Sequence, residues 1–453
     1  MICSLQKTLL FRLCWCLLIL TESSSSAWKH CAAEDGGGHC PNRNTCCPTT
    51  QAGVSSCIPA KSQDPEYALG QCCDGNTGCG YGYQCASDPS GIPYCQLKES
   101  APGYLHNDTS RYELCSVPIE MQTFYGYPMG GDADADRYRR VAYYSNMGDI
   151  TTVSSAHLAV ETAIIMVHGS ARNADDYFCA ALSLLDDQHH TMNSTLVIAP
   201  LFASPEDGNV VDNVLIWADH DDRYPLSHSW RYGADAMNAP ISSYAVLDAL
   251  VKHLSSATVQ FPHLRRIAVA GHSAGGQLTH RWALLSSSSV WKNSKVELVS
   301  VVANPRSYCY LDGRRILRDG SFDLPDADDT VICKTYNQWQ WGLDQGGYLP
   351  CPYKDRALED TTAKEMAERY TTRNVVYLSG ELDVLRANDR CETSIFQGRN
   401  RQERAKNYVS GLQQYFGRHV HDFHIIMGSP HDHSLMFQSP DGKGAIFGHG
   451  DRI

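Results

Sequence analysis

Once its first 27 residues are set aside, the sequence has no apolar run long enough to span a bilayer, and it has no surplus of basic charge. A nucleic-acid surface needs a basic face, whereas 38 Lys and Arg stand here against 50 Asp and Glu, a formal charge of −12. Metal-ligand spacings are missing too. Asp132, Asp134 and Asp136 alternate like the start of a calcium loop, but Arg137 stands where that loop needs glycine and Tyr143 where it needs glutamate. His421, His424 and His431 to His433 follow no zinc-helix spacing. The acidic run from Asp219 to Asp222 reads as a solvated loop. No metal and no cofactor is expected.

What is present begins with an export signal. Lys7 and Arg12 supply positive charge, Leu9 to Leu20 is a short apolar stretch, and Ser25, Ser26 and Ala27 offer small residues for cleavage before Trp28. The stretch is shorter than the roughly 20 residues of a spanning helix, and Arg12 interrupts it. Residues 1–27 are therefore expected to be removed and the protein secreted without a stable membrane anchor. Cysteine usage agrees. Ten cysteines lie between Cys31 and Cys95 and six more follow (Cys115, Cys179, Cys309, Cys333, Cys351, Cys391), two even sets that suit closed disulfides. Asn107 and Asn193 each open an N-glycosylation sequon.

Residues 28–98 are rich in Cys, Gly, Pro and Asn and short of apolar runs, so this block needs its disulfides to fold. The vicinal pairs Cys46-Cys47 and Cys72-Cys73 each suit two separate bonds, as in stacked hairpins. The runs from His39 to Pro48, from Cys72 to Cys79 and from Tyr83 to Cys85 resemble a granulin module, although Cys57, Cys79 and Cys85 stand alone where granulins carry vicinal pairs. A linker over 99–120 leads into a second pattern. From 121 to 453, short apolar runs alternate with amphipathic helices, which predicts an α/β domain on a mainly parallel sheet. Strands are expected at Arg139–Ser145, Thr162–Val167, Leu196–Ala199 (stopped by Pro200), Arg266–Ala270, Val296–Ala303, Asn374–Ser379 and Phe423–Met427. Val246, Leu247, Leu250, Val251 and Leu254 recur at helical spacing. The irregular stretch 304–373, with Trp339 and Trp341, is expected to form an ordered cap over the site that sets acyl preference.

The chemistry concentrates in four loops. Ser273 lies in the run Gly271-His272-Ser273-Ala274-Gly275-Gly276, entered from an apolar strand and left by a helix with Leu278, Trp282 and Leu285 on its apolar side. Such a turn exposes a serine Oγ as nucleophile, and the amide of Ala274 at the helix start can donate to an oxyanion. A serine needs a base and an orienting acid. Asp383 follows the Asn374–Ser379 strand, with Glu381 the next choice and Asp389 a poorer one, and His431 follows the last strand. His433 reads as a polar residue at a helix entrance. The loop His168-Gly169-Ser170-Ala171 should provide the second oxyanion donor through the amide of Ser170 or Ala171, with His168 shaping the loop.

Together these loops resemble the α/β-hydrolase superfamily over about residues 120–447. Trp230 to Gly233, Asn304 to Tyr308, Gln397 to Arg401 and His431 to Phe437 resemble a subset of its bacterial and fungal members. The resemblance implies an α/β-hydrolase fold and a hydrolase, without an agreed substrate; with the export signal and the irregular insertion, the expectation is a secreted serine esterase with a cap, working through an acyl-enzyme. Its partner would be a small-molecule or polymeric ester. An amidase or peptidase with the same triad remains open, as does a binding or signalling protein led by the granulin-like module.

Overall fold

The computed structural model describes the backbone of strands between Trp28 and Tyr125, then residues 140–448 except 186–190, 208–213, 219–227, 293–294, 345–348, 360 and 386–389. The signal stretch, the cysteine side chains of residues 28–98, the 99–120 linker, Asn107, the Asp132–Asp136 run, the Asp219–Asp222 run and Asp389 lie outside the described residues. The chain divides into two units, Met1–Pro102 and Gly103–Ile453. In the first, Trp28–His30 pairs with His39–Pro41, Asn44–Pro48 with Ser55–Pro59, Gln71–Cys72 with Gly78–Cys79 and Tyr83–Ser87 with Pro93–Leu97, all antiparallel.

The second unit is built on eight strands: β1 (Met121–Tyr125), β2 (Arg140–Ser145), β3 (Thr162–Val167), β4 (Thr195–Leu201), β5 (Arg266–His272), β6 (Glu297–Ala303), β7 (Asn374–Gly380) and β8 (Asp422–Ile426). They form one sheet in the order β8-β7-β6-β5-β3-β4-β2-β1. All pairings from β8 to β4 are parallel, and β2 turns antiparallel against both β4 and β1. The sheet is mixed and mainly parallel, with helices on both faces. Strands covered on both sides must be apolar throughout, which is why β3 reads as an unbroken apolar run. Ala163, Ile165 and Val167 enter one core layer, while Ile164 and Met166 enter the other.

The first layer holds α2 (Ser243–Ser256), α3 (Ala274–Leu285), α4 (Ala363–Tyr370) and α5 (Arg401–Phe416); the second holds α1 (Ala174–Leu182), α6 (His433–Gln438) and α7 (Pro440–Phe447). Val246, Leu247, Leu250, Val251 and Leu254 of α2 are all buried, as their spacing predicts. Pro200 does not stop its strand. The parallel ladder between β3 and β4 ends at Ile198, so Pro200 faces only Tyr143 of β2, where its missing N–H removes no bond to β3.

Stretch 304–373 is ordered over its described residues, but its tryptophans are sunk in the core and show no ring surface to a substrate. Trp339 Nε1 donates to the Tyr232 carbonyl at 3.1 Å, and Arg281 of α3 donates through Nε to the Gln340 carbonyl at 3.0 Å. The Trp339 ring pins the insertion to the sheet's helical layer, and both rings are buried rather than open to a substrate.

The even cysteine count also needs correction. Cys333 and Cys391 form a disulfide, whereas Cys309 and Cys351 are free and buried. Burial pushes the Cys309 thiol up to about 11 and the Cys351 thiol to about 12, so both stay protonated and inert. Both should resist alkylation in the native protein and react fully after denaturation without reductant, which mass spectrometry of the labelled peptides would check. Resistance in the denatured chain would mean that they are oxidised.

Candidate active site

Ser273 stands between β5 and α3 with φ 58 and ψ −112, a conformation that a residue with a side chain adopts only under strain. The surrounding backbone leaves no alternative. A Cβ on Gly271 would lie 2.5 Å from the Gly275 carbonyl, and one on Gly275 would lie 2.4 Å from the Val167 carbonyl oxygen. Two glycines therefore let strand and helix cross closely enough to push the serine outward. Ser273 N donates to the Ala303 carbonyl at 3.0 Å, extending the β5–β6 ladder into the turn.

Parallel strands carry their following loops to one edge, and three loops meet Ser273 there. His431, in the loop after β8, has Nε2 2.9 Å from Ser273 Oγ, while its Nδ1 lies 2.7 Å from Asp383 Oδ2 in the loop after β7. The serine, acid and histidine picked out in the sequence are thus brought into one hydrogen-bonded line. Glu381 sits elsewhere, its Oε2 accepting from Gly428 N at 2.8 Å and tying the loop after β7 to the loop after β8. His433 turns away from the serine. Its ring stacks on Tyr177 at 4.0 Å and its Nε2 lies 3.5 Å from Asp176 Oδ2. Asp432 caps α6, accepting from Leu435 N at 3.0 Å.

Charges in the line are set by surroundings. Burial raises the Asp383 carboxyl, but the bond and charge of His431 and the nearby Arg401 outweigh it, leaving its pKa below the ordinary 3.8. Asp383 is therefore ionised near neutrality. Desolvation and then Arg401 lower His431 below its usual 6.5, against the pull of Asp383. His431 is neutral near pH 7, with Nδ1–H toward Asp383 and a free lone pair on Nε2 toward the serine.

The register opposes Val167 of β3 to Gly271 of β5, so the His168–Ala171 loop starts beside the serine turn. The amides of Ser170, Ala171 and Ala274 make no backbone hydrogen bond among the described residues. His168 shapes the loop: its Nε2 accepts from Phe202 N at 3.0 Å, which leaves Nδ1–H to donate to the Gly169 carbonyl at 2.8 Å. Arg172 holds the far end with a positive φ of 57 and bonds from Nε to both Asp207 carboxylate oxygens at 2.8 and 2.9 Å.

Several residues of this site carry no role in a reading of the sequence. Asn304 Oδ1 accepts from Gly380 N at 2.8 Å, while its Nδ2 reaches His272 Nε2 at 3.4 Å and the Pro430 carbonyl at 3.5 Å. It thereby joins the ends of three strands. His272 sits behind His431, ring centroids 4.5 Å apart, with its Nδ1 3.1 Å from Tyr177 Oη. Burial drives His272 well below 6.5, so no second positive charge builds up beside His431. Asn304 and Arg401 fall within stretches that the superfamily resemblance picks out, but their partners lie across loops that no local spacing relates.

No family model and no curated protein matches the sequence. Solved structures to which it is similar include the poly(3-hydroxybutyrate) depolymerase LpqC from Bordetella parapertussis, at 16% identity, covering 79% of this chain and 97% of that one with a TM-score of 0.47. A poly(aspartic acid) hydrolase-1 from Sphingomonas sp. KT-1 is similar at 17% identity over 71% of this chain and 96% of its own, TM-score 0.42. The siderophore hydrolase EstB from Aspergillus nidulans is similar at 15% identity, 74% and 97% coverage and a TM-score of 0.33.

Among the described residues, one set of side chains has metal-like spacing, Cys333, Cys391 and Glu392, and its two sulfurs are bonded to each other.

Proposed function

We propose that this protein is a secreted serine hydrolase of the α/β-hydrolase type that cleaves carboxylic esters through an acyl-enzyme. The observation that carries the reading is the unbroken line from Ser273 Oγ through His431 to Asp383, at 2.9 and 2.7 Å. Ser273 attacks the ester carbonyl while His431 takes its proton, and the same imidazole then protonates the departing alcohol. Asp383 holds the ring and stabilises the imidazolium. Water activated by His431 releases the acid. The oxyanion is met by the Ala274 amide at the start of a 12-residue helix and by the amide of Ser170 or Ala171. Export rests on the N-terminal signal pattern, and Asn193, exposed in the turn before β4, suits glycosylation. A granulin-like module over residues 28–98 rests on its cysteine pattern.

An active-site fluorophosphonate followed by matched ester and amide substrates tests the activity. Labelling at Ser273 with faster ester turnover supports an esterase; faster amide turnover would make the protein an amidase or peptidase. A protein that neither labels nor turns over either substrate would be a binding protein.

The oxyanion loop supplies a separate check. Arg172→Ala frees the end of that loop and leaves Asp207 buried without its cation, so kcat should fall about a hundredfold and the Tm should drop. An unchanged kcat on an activated ester would remove Ser170 and Ala171 from the oxyanion site.

A further inference from the structure

One charged side chain in contact with Asp383 has no task in the acyl-transfer chemistry. Asp383 is only 3% exposed. His431 takes its Oδ2, and Arg401 Nη1 lies 3.4 Å from its Oδ1. No carboxylate but Asp383 pairs with Arg401 among the described residues. Its placement is enforced by its helix. Arg401 is the first residue of α5, whose start is fixed by Asn400, the Oδ1 of which accepts from Glu403 N at 2.9 Å. The next residue grips the acid loop twice: Gln402 N donates to the Asp383 carbonyl at 3.4 Å, and Gln402 Nε2 to the Glu381 carbonyl at 2.8 Å. The positive end of a 16-residue helix thus abuts the loop that carries the acid, and Arg401 leads it.

We propose that Arg401 is a positioning residue of this triad, holding the carboxylate oxygen of Asp383 that His431 leaves free and thereby setting the acid edge of the pH range in which Ser273 is activated. The proposal rests on the Ser273–His431–Asp383 reading. A carboxylate bound at both oxygens cannot rotate, so Oδ2 stays aimed at the imidazole. The fixed cation also opposes protonation of His431, which keeps the base free in mildly acidic solution.

The other groups around that ring do not replace this effect. Asp383 on the acid loop and Asp432 on the histidine loop favour the imidazolium. His272 at the end of β5 is neutral, and His433 is matched by Asp176 of α1. After desolvation, Arg401 is the next strongest influence holding His431 down.

Labelling by a fluorophosphonate needs the same base and no known substrate, so its rate against pH reads His431 directly. The full chain would be compared as wild type, R401K and R401Q. The wild-type midpoint is expected below the ordinary histidine value of 6.5. R401K should stay within about 0.3 unit of it, while R401Q should move up by about one unit. At pH 5.5 the R401Q rate, relative to its own alkaline plateau, should then fall about fivefold to tenfold below the wild-type ratio. A wild-type midpoint at or above 6.5 overturns the proposal whether or not R401Q folds. So does an R401Q profile lowered evenly with its midpoint unmoved, or an R401K midpoint displaced as far as that of R401Q. Wild-type protein that never labels would instead overturn the hydrolase reading, a result distinct from all of these.

Discussion

Ser273→Ala should abolish ester turnover and fluorophosphonate labelling, with kcat falling on the order of a millionfold and the fold intact. The size of the loss follows from the line of hydrogen bonds that starts at its Oγ. Without the hydroxyl the line from His431 has no oxygen at its end, and on the proposed mechanism no acyl bond can form. The substitution removes one partly exposed oxygen and leaves the Ser273 N to Ala303 carbonyl bond in place, so the Tm should change little. A mass shift of one fluorophosphonate adduct on the alanine variant would move the nucleophile elsewhere. The pair Ser273→Ala with His431→Ala should be no slower than either change alone, because each already disables the same unit.

His431→Ala should cost nearly as much, and His433→Ala far less. The two histidines are two residues apart, but α6 begins between them and sends them to different neighbours. His431, with 32% of its side chain open to solvent, points Nε2 at the serine. His433 is buried against the Tyr177 ring and beside Asp176, behind the site. Losing that stack removes roughly 1 kcal/mol of packing and loosens the loop, a fall of about tenfold or less in kcat. Loss at His431 should be several orders of magnitude. One activated ester measured with both variants decides the matter, since a near-normal rate for His431→Ala beside a dead His433→Ala would reverse the roles.

Much of the frame is legible in the sequence. Strands buried on both faces must be apolar along their length, so β3, β5, β6 and β7 appear as apolar runs within one or two residues of their ends. A parallel sheet then dictates that the loops after β3, β5, β7 and β8 share an edge, which is why loop position alone places Ser273, Asp383 and His431 together there. Other features failed for definite reasons. Pro200 reads as a stop because sequence does not tell how far a neighbouring ladder extends. Trp339 and Trp341 read as site residues because a large ring in an irregular segment looks the same whether it faces a substrate or a core.

The sequence by itself determined seven of the eight strands of the sheet, all but Met121–Tyr125, the glycine-framed turn that exposes Ser273, and the loops that carry Asp383 and His431. Each depends on residues close together in the chain, where apolar periodicity and the lack of a Cβ act locally. Tertiary structure alone decided that Cys309 and Cys351 stay reduced, that Asn304 joins three strand ends, and that Arg401 sits on the outer oxygen of Asp383. Those pairings follow from how separate helices and loops pack at one edge of a sheet, and no spacing along the chain encodes that distance.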